Sequence, residues 1–448
     1  MRWRRLRRGG RGNEGGAMSN LLRTGLNAGE AGPMTVVGGE GVYFHLADGR
    51  RLIDGSNTGG GLGHRHPAMV EAIRRAADTP VVNEGWTWVG REQAADDLMA
   101  IAFKGEEDWV GAVRFCISGS EANDMALSLC QALTQRSALA TRERAYHGLT
   151  GLSRSMTVQP QWHGGLAVHA GGSQRPSPMA PVRILPAPDG AIYGAPANNP
   201  PPSECLADAT RLLSDTAATI IDYTQGGIYY DGAYQDEVAR CARAAGSYWI
   251  ADEVVTGAGR AGRWFAFQGA ASRPDIVTLG KSLGGGAAAV AAVVVSKAIV
   301  ERLKGTSWQN YGTLRGHPIS MAAVSAYLKV VTEEKILEHV RSLEKLFTRR
   351  LLGIAQKHPS VQRVAGQGLH WTVELHGPDW RTWHADTSEV PIASRVATRA
   401  LEAGAVIGTS GEQTSLFLAP PLVISEHEAE RLLDALDHGL DIADEVHG

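Results

Sequence analysis

From about residue 91 onward the chain alternates helical stretches with short apolar runs that stop abruptly at a polar or charged residue. The runs are Val113–Ile117, Ser137–Thr141, Ala218–Asp222, Ser247–Asp252, Asp275–Leu279 and Ala289–Val295. Strands apolar on both faces and separated by helices fit a parallel sheet covered on each side by helices. The residue that ends each run then falls on the carboxyl edge of the sheet, where open α/β sheets bind their ligands. The fold class is therefore α/β. With 448 residues, 43% of them hydrophobic, the chain exceeds one small core, and two lobes are expected.

The flanking regions complete that division. Gly41 to Asp54 reads as a hairpin around Asp48-Gly49, Gly59 to Gly63 as a flexible link, and Pro67 onward as a helix with Met69, Val70, Ile73 and Ala76 on one side. Prolines interrupt Gln159 to Pro202, which reads as a long loop with one short strand, crossing the surface or a dimer face. Helical pattern returns from Ile319 to Gln356, a strand follows at Gly366 to Leu375, and helices follow near Pro391 to Glu402 and from Ser425 to Ile442. The expected layout is a disordered leader at 1–17, a segment at 18–75 joining the small lobe, a large sheet domain at 76–330 and a small α+β domain at 331–448.

A formal charge of −3 and dispersed arginines give no reason to expect nucleic acid or a membrane surface as the partner, so a small molecule is expected. The exception is Met1 to Arg11, with six arginines, read as a leader because Met18 resembles a second start. Cys116, Cys130, Cys205 and Cys241 form no CxxC pair, which points to free thiols, a reducing cytoplasmic setting and no metal site. The longest Ala/Val run, Ala287 to Val295, is too short to cross a bilayer.

The chemistry concentrates at the ends of the apolar runs. Lys281 follows one of them and precedes Gly284-Gly285-Gly286. An amine partly desolvated there and near other cations has a lowered pKa and attacks aldehydes. Asp252 ends another run, and a buried carboxylate needs a partner; a pyridinium nitrogen is one. In Ser118-Gly119-Ser120-Glu121 a strand gives way to a helix, whose first N–H groups, at Gly119 and Ser120, favour a phosphate. Its face Ala122, Met125, Ala126, Leu129 and Leu133 would pack on the sheet. Tyr146 can stack on a flat ring beside Gly148, Thr313 offers a hydroxyl, and Arg315 can clamp a carboxylate or phosphate. Each residue alone also has an ordinary reading: exposed lysine, satisfied acid, helix cap, core tyrosine, loop threonine or solvated arginine.

Together, Ser118-Gly-Ser-Glu-Ala122, Tyr146-His-Gly148, Asp252-Glu-Val254, Leu279-Gly-Lys-Ser-Leu-Gly-Gly-Gly286 and Gly312-Thr-Leu-Arg-Gly-His-Pro318 resemble the class III (ω-amino acid and related) aminotransferases, among the fold-type I pyridoxal-phosphate enzymes. The resemblance runs from about Gly41 to the carboxyl end. It implies a mainly parallel seven-stranded sheet in a large domain that binds pyridoxal 5'-phosphate, and a homodimer with sites at the subunit interface. It also implies that Lys281 forms the Schiff base and shuttles the proton, Asp252 faces the pyridine nitrogen, and Val254 and Tyr146 cover the two ring faces. By the same resemblance Gly119 and Ser120 hold the phosphate, and Thr313 reaches the phosphate of the neighbouring subunit.

The departures bear on substrate. Val255 stands where many members have Gln, Asp222-Tyr223 where Glu-Pro is frequent, and Gly227 where a Glu is common. Phe417 and Leu149 replace arginines that some members use. Loss of a guanidinium together with its acid partner implies a reshaped pocket. The expected substrates are an amine or amino acid and an oxo acid other than a standard dicarboxylate pair, with Trp86, Trp88 and Trp162 as apolar walls and Arg315 as a replacement carboxylate binder. Epimerase, racemase, aminomutase and decarboxylating transaminase chemistry, and a non-catalytic dimer, remain alternatives.

Overall fold

The computed structural model describes residues 34–80, 82–159, 164–168, 172–174, 176–186, 202–223, 232–376, 390–410 and 413–447. The leader, Trp162 and Gly227 lie outside them. At the amino end, β1 (Val36–Glu40), which the sequence did not reveal, pairs with β2 (Tyr43–Leu46), and β2 pairs with β3 (Arg51–Asp54), all antiparallel. The β2–β3 turn lies at the expected Asp-Gly, with Gly49 at φ +90°, a conformation that favours glycine.

The large sheet contains β4 (Val110–Cys116), β5 (Ala138–Arg142), β8 (Val182–Leu185), β9 (Thr216–Asp222), β10 (Tyr248–Asp252), β11 (Ile276–Leu279) and β12 (Ala291–Ser296), in the order β4-β12-β11-β10-β9-β5-β8. The expected mainly parallel seven-stranded sheet is thus present, and its one antiparallel member is β12, which runs against both β11 and β4. The reason is the short connection at 280–290. A parallel return needs a crossover of a dozen or more residues, usually a helix, whereas here a 3-10 turn (Lys281–Gly284) and three glycines reverse the chain. The proline-rich stretch holds more strand than expected: β8 at the sheet edge, and the two-stranded pair β6 (Leu166–Val168) and β7 (Gly172–Gln174).

The sheet residues alternate between two apolar layers. Ile220, Ile250, Ile276 and Val293 meet Ala122, Met125, Ala126 and Leu129 of the helix Gly119–Thr134, the face expected from sequence, with Leu133 at its margin. Ile221 and Trp249 pack on the other side with Val238 and Ala242 of the helix Gly232–Ala245. Complete burial of side chains of this size contributes about 1.5–3 kcal/mol each, which fixes strand register and hence which residues reach the carboxyl edge.

The smaller α+β domain is built on β13 (Val361–Gln367), β14 (His370–Leu375), β15 (Ala405–Val406), β16 (Gly408–Thr409) and β17 (Ser415–Leu418). Four of these form the sheet β13-β14-β17-β16, and β15 extends the amino-terminal sheet through β3. The single strand expected at Gly366 to Leu375 is a hairpin, because Gly368 at φ +59° turns the chain. The long helical pattern divides into Pro318–Glu333 and Ile336–Lys357 at Lys335, which adopts φ +54°. The last two helices are Ile392–Glu402 and Glu426–His447. Val42, Ile53 and Leu62 share one core with Phe347, Trp371, Leu432 and Leu436, so the amino-terminal segment packs into this lobe.

Candidate active site

The carboxyl ends of β9, β10 and β11 lie side by side, with Asp222 in register with Asp252 and Asp252 in register with Thr278. Lys281 begins the turn just after β11, at φ +44°. The left-handed region is costly for a non-glycine residue and occurs at sites that the surrounding structure over-determines. A cavity of about 150 Å³ opens at this edge, lined by Gly119, Ser120, Asn123, Tyr146, His147, Gly148, Asp252, Val254, Val255 and Lys281. The structure therefore brings together six of the expected residues: Gly119, Ser120, Tyr146, Asp252, Val254 and Lys281.

Burial pulls the Lys281 ammonium below its usual range, the nearby Asp252 and Asp222 oppose that shift, and Arg260 adds to it. Burial rather than a crowd of cations is thus the main cause, and its effect is a more nucleophilic amine. Asp252 is buried and accepts from Asn123 Nδ2 at 2.7 Å and from the Val254 amide at 3.0 Å, and it lies 2.7 Å from His147 Nδ1. Asp222 instead pairs with the fully buried Arg142, Nη2 to Oδ1 at 2.7 Å. The two adjacent acids are thereby distinguished: one is held by a guanidinium, while the other lines the cavity among neutral amide donors and an imidazole.

At the opposite end, Ser118 caps the helix Gly119–Thr134 by accepting from the Glu121 amide at 3.2 Å, and Glu121 reaches back to the Ile117 amide at 2.8 Å. The ordinary cap is therefore present, and the first helical residues, Gly119 and Ser120, also line the cavity. Ser120 Oγ accepts from Leu149 N–H at 3.3 Å. Gly148, at φ +113°, passes so close that a Cβ there would lie 2.1 Å from Ser120 Oγ. A Cβ at Gly119 would meet Val254 Cγ1 at 2.6 Å, so this glycine is required by the packing of Val254.

The remaining expected residues lie elsewhere. Arg315 is buried and already engaged: it pairs with Glu121 at 2.7 Å, donates to Asn310 Oδ1 at 2.7 Å, and lies 3.8 Å from Glu84. The carboxylates it binds belong to its own chain, which corrects the expectation of a substrate clamp. Trp86 is 71% exposed and lines a separate depression with Glu84, Arg91, Arg114 and Arg315. Trp88 precedes the helix Val89–Asp97 and packs against the core with Leu98 and Met321. Phe417 lies across the strand pair over Gly408, where a Cβ would sit 2.1 Å from its ring. Neither tryptophan nor Phe417 lines the Lys281 cavity: Trp88 packs on the apolar core, and Phe417 lies over its strand partner Gly408. Thr313 sits in an exposed turn outside the cavity of its own chain.

Three residues of the site were missed by sequence reasoning. His147 was within reach, inside the Tyr-His-Gly motif; Asn123 lies one helical turn after Ser120 and so shares its face. His370 carried no such signal. It comes from β14 of the small domain, and burial, then Arg260 and Lys281, pull its imidazole down to about 3, so it is neutral at physiological pH.

A family model described as aminotransferase class-III matches residues 27–440. The chain belongs to the class-III aminotransferases. An acetylornithine aminotransferase of Mycolicibacterium smegmatis is 31% identical to this class-III aminotransferase over 92% of this chain and 95% of that one. An ethanolamine-phosphate phospho-lyase homolog of Caenorhabditis elegans is 29% identical over 89% and 86% of the two chains. The crystal structure of an S-selective transaminase from Bacillus megaterium superposes with a TM-score of 0.84, at 28% identity, covering 95% of this chain and 96% of that one. This class-III aminotransferase is thus a pyridoxal-phosphate enzyme, and its cavity suits that cofactor: an amine of lowered basicity, a buried acid paired with no guanidinium, and a helix start share one space.

Proposed function

We propose that this enzyme moves an amino group from an amine or amino acid to an oxo acid, with substrates other than a standard dicarboxylate pair. The observation that carries the reading is the sharing of one cavity by Lys281, whose amine is made less basic by burial, and buried Asp252. Bound pyridoxal phosphate supplies an electron sink and a temporary carrier for the amino group. Lys281 would be its covalent anchor, and Lys281 Nζ would be the base that takes a proton from the amine-bearing carbon and delivers it to the carrier. Asp252 would face the ring nitrogen, Val254 and Tyr146 would bound the ring, and Gly119 and Ser120 would hold the phosphate at the helix start. The hydrophobic Val255, buried at 5% exposure on the cavity wall, supports a pocket without a charged clamp.

The same reading makes the molecule a cytoplasmic homodimer, with a large cofactor domain at 76–330 and a small domain at 331–448. Trp86, Tyr311 and Leu314 are 71%, 55% and 52% exposed beside the depression that holds Arg315. An apolar group of this size on a water-facing surface fits a second copy, to whose site Thr313 would be delivered. No helix among the described residues is long and apolar enough to cross a membrane.

Borohydride reduction of the cofactor-loaded protein tests the anchor: added mass is expected on the peptide containing Lys281 and nowhere else. In a separate, unreduced sample an amine panel should bleach the cofactor absorbance, and an oxo acid should restore it. The phospho-lyase relative supports a second reading, elimination of phosphate from a phosphorylated amino alcohol. Release of inorganic phosphate from phosphoethanolamine without need of an oxo acid would favour that reading over transfer.

A further inference from the structure

Asp252 is held by an array of hydrogen-bond donors whose directions at its carboxylate can be assigned. Asn123 lies within hydrogen-bond distance of three oxygens: Asp252 Oδ2 at 2.7 Å, the His147 carbonyl at 2.8 Å and Thr278 Oγ1 at 2.6 Å. A carboxylate and a carbonyl can only accept, so the amide nitrogen must face both and spend its two protons on them. The amide oxygen is then turned to Thr278, whose hydroxyl must donate. His147 Nδ1 approaches the same Asp252 Oδ2 at 2.7 Å and therefore carries its proton there, while Nε2 meets Thr141 Oγ1 at 2.9 Å. Oδ2 thus has two donors, and Oδ1 has the Val254 amide.

Asn123 and Thr278 are both essentially buried, at 1% and 0% exposure, and come from different elements, the helix Gly119–Thr134 and strand β11. Thr278 is the register partner of Asp252 in the sheet, and its hydroxyl reaches Asp252 by way of Asn123. A carboxylate at the end of a strand can rotate about χ2. Two donors from separate elements on one oxygen prevent that, and leave the remaining acceptor capacity on the oxygen that also holds the Val254 amide.

We propose that Asn123 and Thr278 are positioning residues for Asp252: the Thr278 hydroxyl fixes the Asn123 amide, and the amide fixes the carboxylate that grips the cofactor ring. This rests on the role given above to Asp252. The consequence is that a hydroxyl outside the cavity lining tunes cofactor affinity and the protonation of the bound chromophore.

The test uses the full chain loaded with pyridoxal phosphate, and needs no substrate. Thr278→Val removes the hydroxyl at constant shape, Thr278→Ser restores it, and Asn123→Leu removes the amide at similar volume. The readouts are the dissociation constant for pyridoxal phosphate and the pH midpoint of the bound cofactor's visible absorbance. Losing one buried hydrogen bond that orients a charge should weaken cofactor binding roughly 5- to 10-fold in Thr278→Val and in Asn123→Leu. The midpoint should move by roughly half a unit or more, in the direction taken by Asp252→Asn. Thr278→Ser should return both readouts to within about threefold and a few tenths of a unit.

The decisive comparison is the double variant. If Thr278 acts through Asp252, Thr278→Val has no further effect in the Asp252→Asn background. Equal losses in both backgrounds, or unchanged affinity and midpoint in Thr278→Val and Asn123→Leu, would overturn the proposal while leaving Asp252 in its role. If Asp252→Asn alone leaves both readouts unchanged, it is the reading of Asp252 that fails, and the proposal with it.

Discussion

Substituting Gly148 by alanine isolates the close approach on which the helix-start end of the cavity depends. The backbone there has φ +113°, which an L side chain rarely adopts, and holding alanine in it costs about 1–3 kcal/mol. The new Cβ would also lie 2.1 Å from Ser120 Oγ, 2.7 Å from its Cβ and 2.8 Å from its Cα. Rotation of the serine relieves only the first of these contacts, so the helix start itself must retreat until the separations exceed 3.0 Å. A retreat of that size, a few tenths of an ångström, lengthens one or two charge-assisted hydrogen bonds to a bound phosphate, about 1–1.5 kcal/mol in total, or roughly 5- to 12-fold in the dissociation constant of pyridoxal phosphate. Gly105→Ala is the control: φ there is +88° and nothing lies within 4 Å of the new Cβ, so it carries the backbone cost without the contact. Fluorescence titration with cofactor should show the loss in Gly148→Ala and near-wild-type affinity in Gly105→Ala, with both variants less stable to urea. Cofactor affinity within twofold of wild type in a folded Gly148→Ala protein would refute the placement of the phosphate at Ser120.

Asp252→Asn, which keeps the shape but not the charge, should lower amino-transfer turnover by roughly a hundredfold or more, measured as kcat on any amine that bleaches the cofactor. Burial raises the Asp444 pKa, but its bonds from Ser360 and His358 prevail and hold it below the usual carboxylate range. A lowered folded value means that the contribution is complete above the unfolded pKa near 4 and is lost as pH falls through the folded one. Asp444→Asn should therefore cost about 1 kcal/mol at pH 7 and almost nothing near pH 2, read from urea midpoints; an equal gap at both would contradict the assignment. Iodoacetamide on the native protein should label the partly exposed Cys205 ahead of Cys116, Cys130 and Cys241, which are buried and whose thiol pKa values are raised chiefly by that burial. Mass spectrometry of the labelled peptides decides this.

The sheet was legible because its strands are apolar on both faces and end on chemistry: Asp252, Lys281 and the Ser118-Gly-Ser turn all lie where strand ends put them. What escaped depended on distance in the chain. The antiparallel sense of β12 follows from a connection length that the strand pattern alone does not encode. Arg315 read as a free clamp because its partners, Glu84 and Glu121, are some two hundred residues away. His370 reaches the neighbourhood of Lys281 only through the packing of the small domain on the large one. The substrate-pocket residues Trp86, Trp88 and Phe417 were inferred from composition and from departures at aligned positions, and neither kind of signal reports where a ring points.

Arg260 has a consequence for the order in which the protein matures. Its guanidinium donates to the carbonyls of Asn57 at 2.8 Å and Leu369 at 3.3 Å, and to that of Pro420, so one side chain gathers segments that lie up to 203 residues from it in the chain. Contacts of such long sequence separation form late, because loop closure must precede them. During synthesis the sheet and its Lys281 turn emerge well before Pro420 does. The nascent chain therefore carries Lys281 before the burial that lowers its basicity is complete, and Arg260 gains its last carbonyl partner only once Pro420 has emerged.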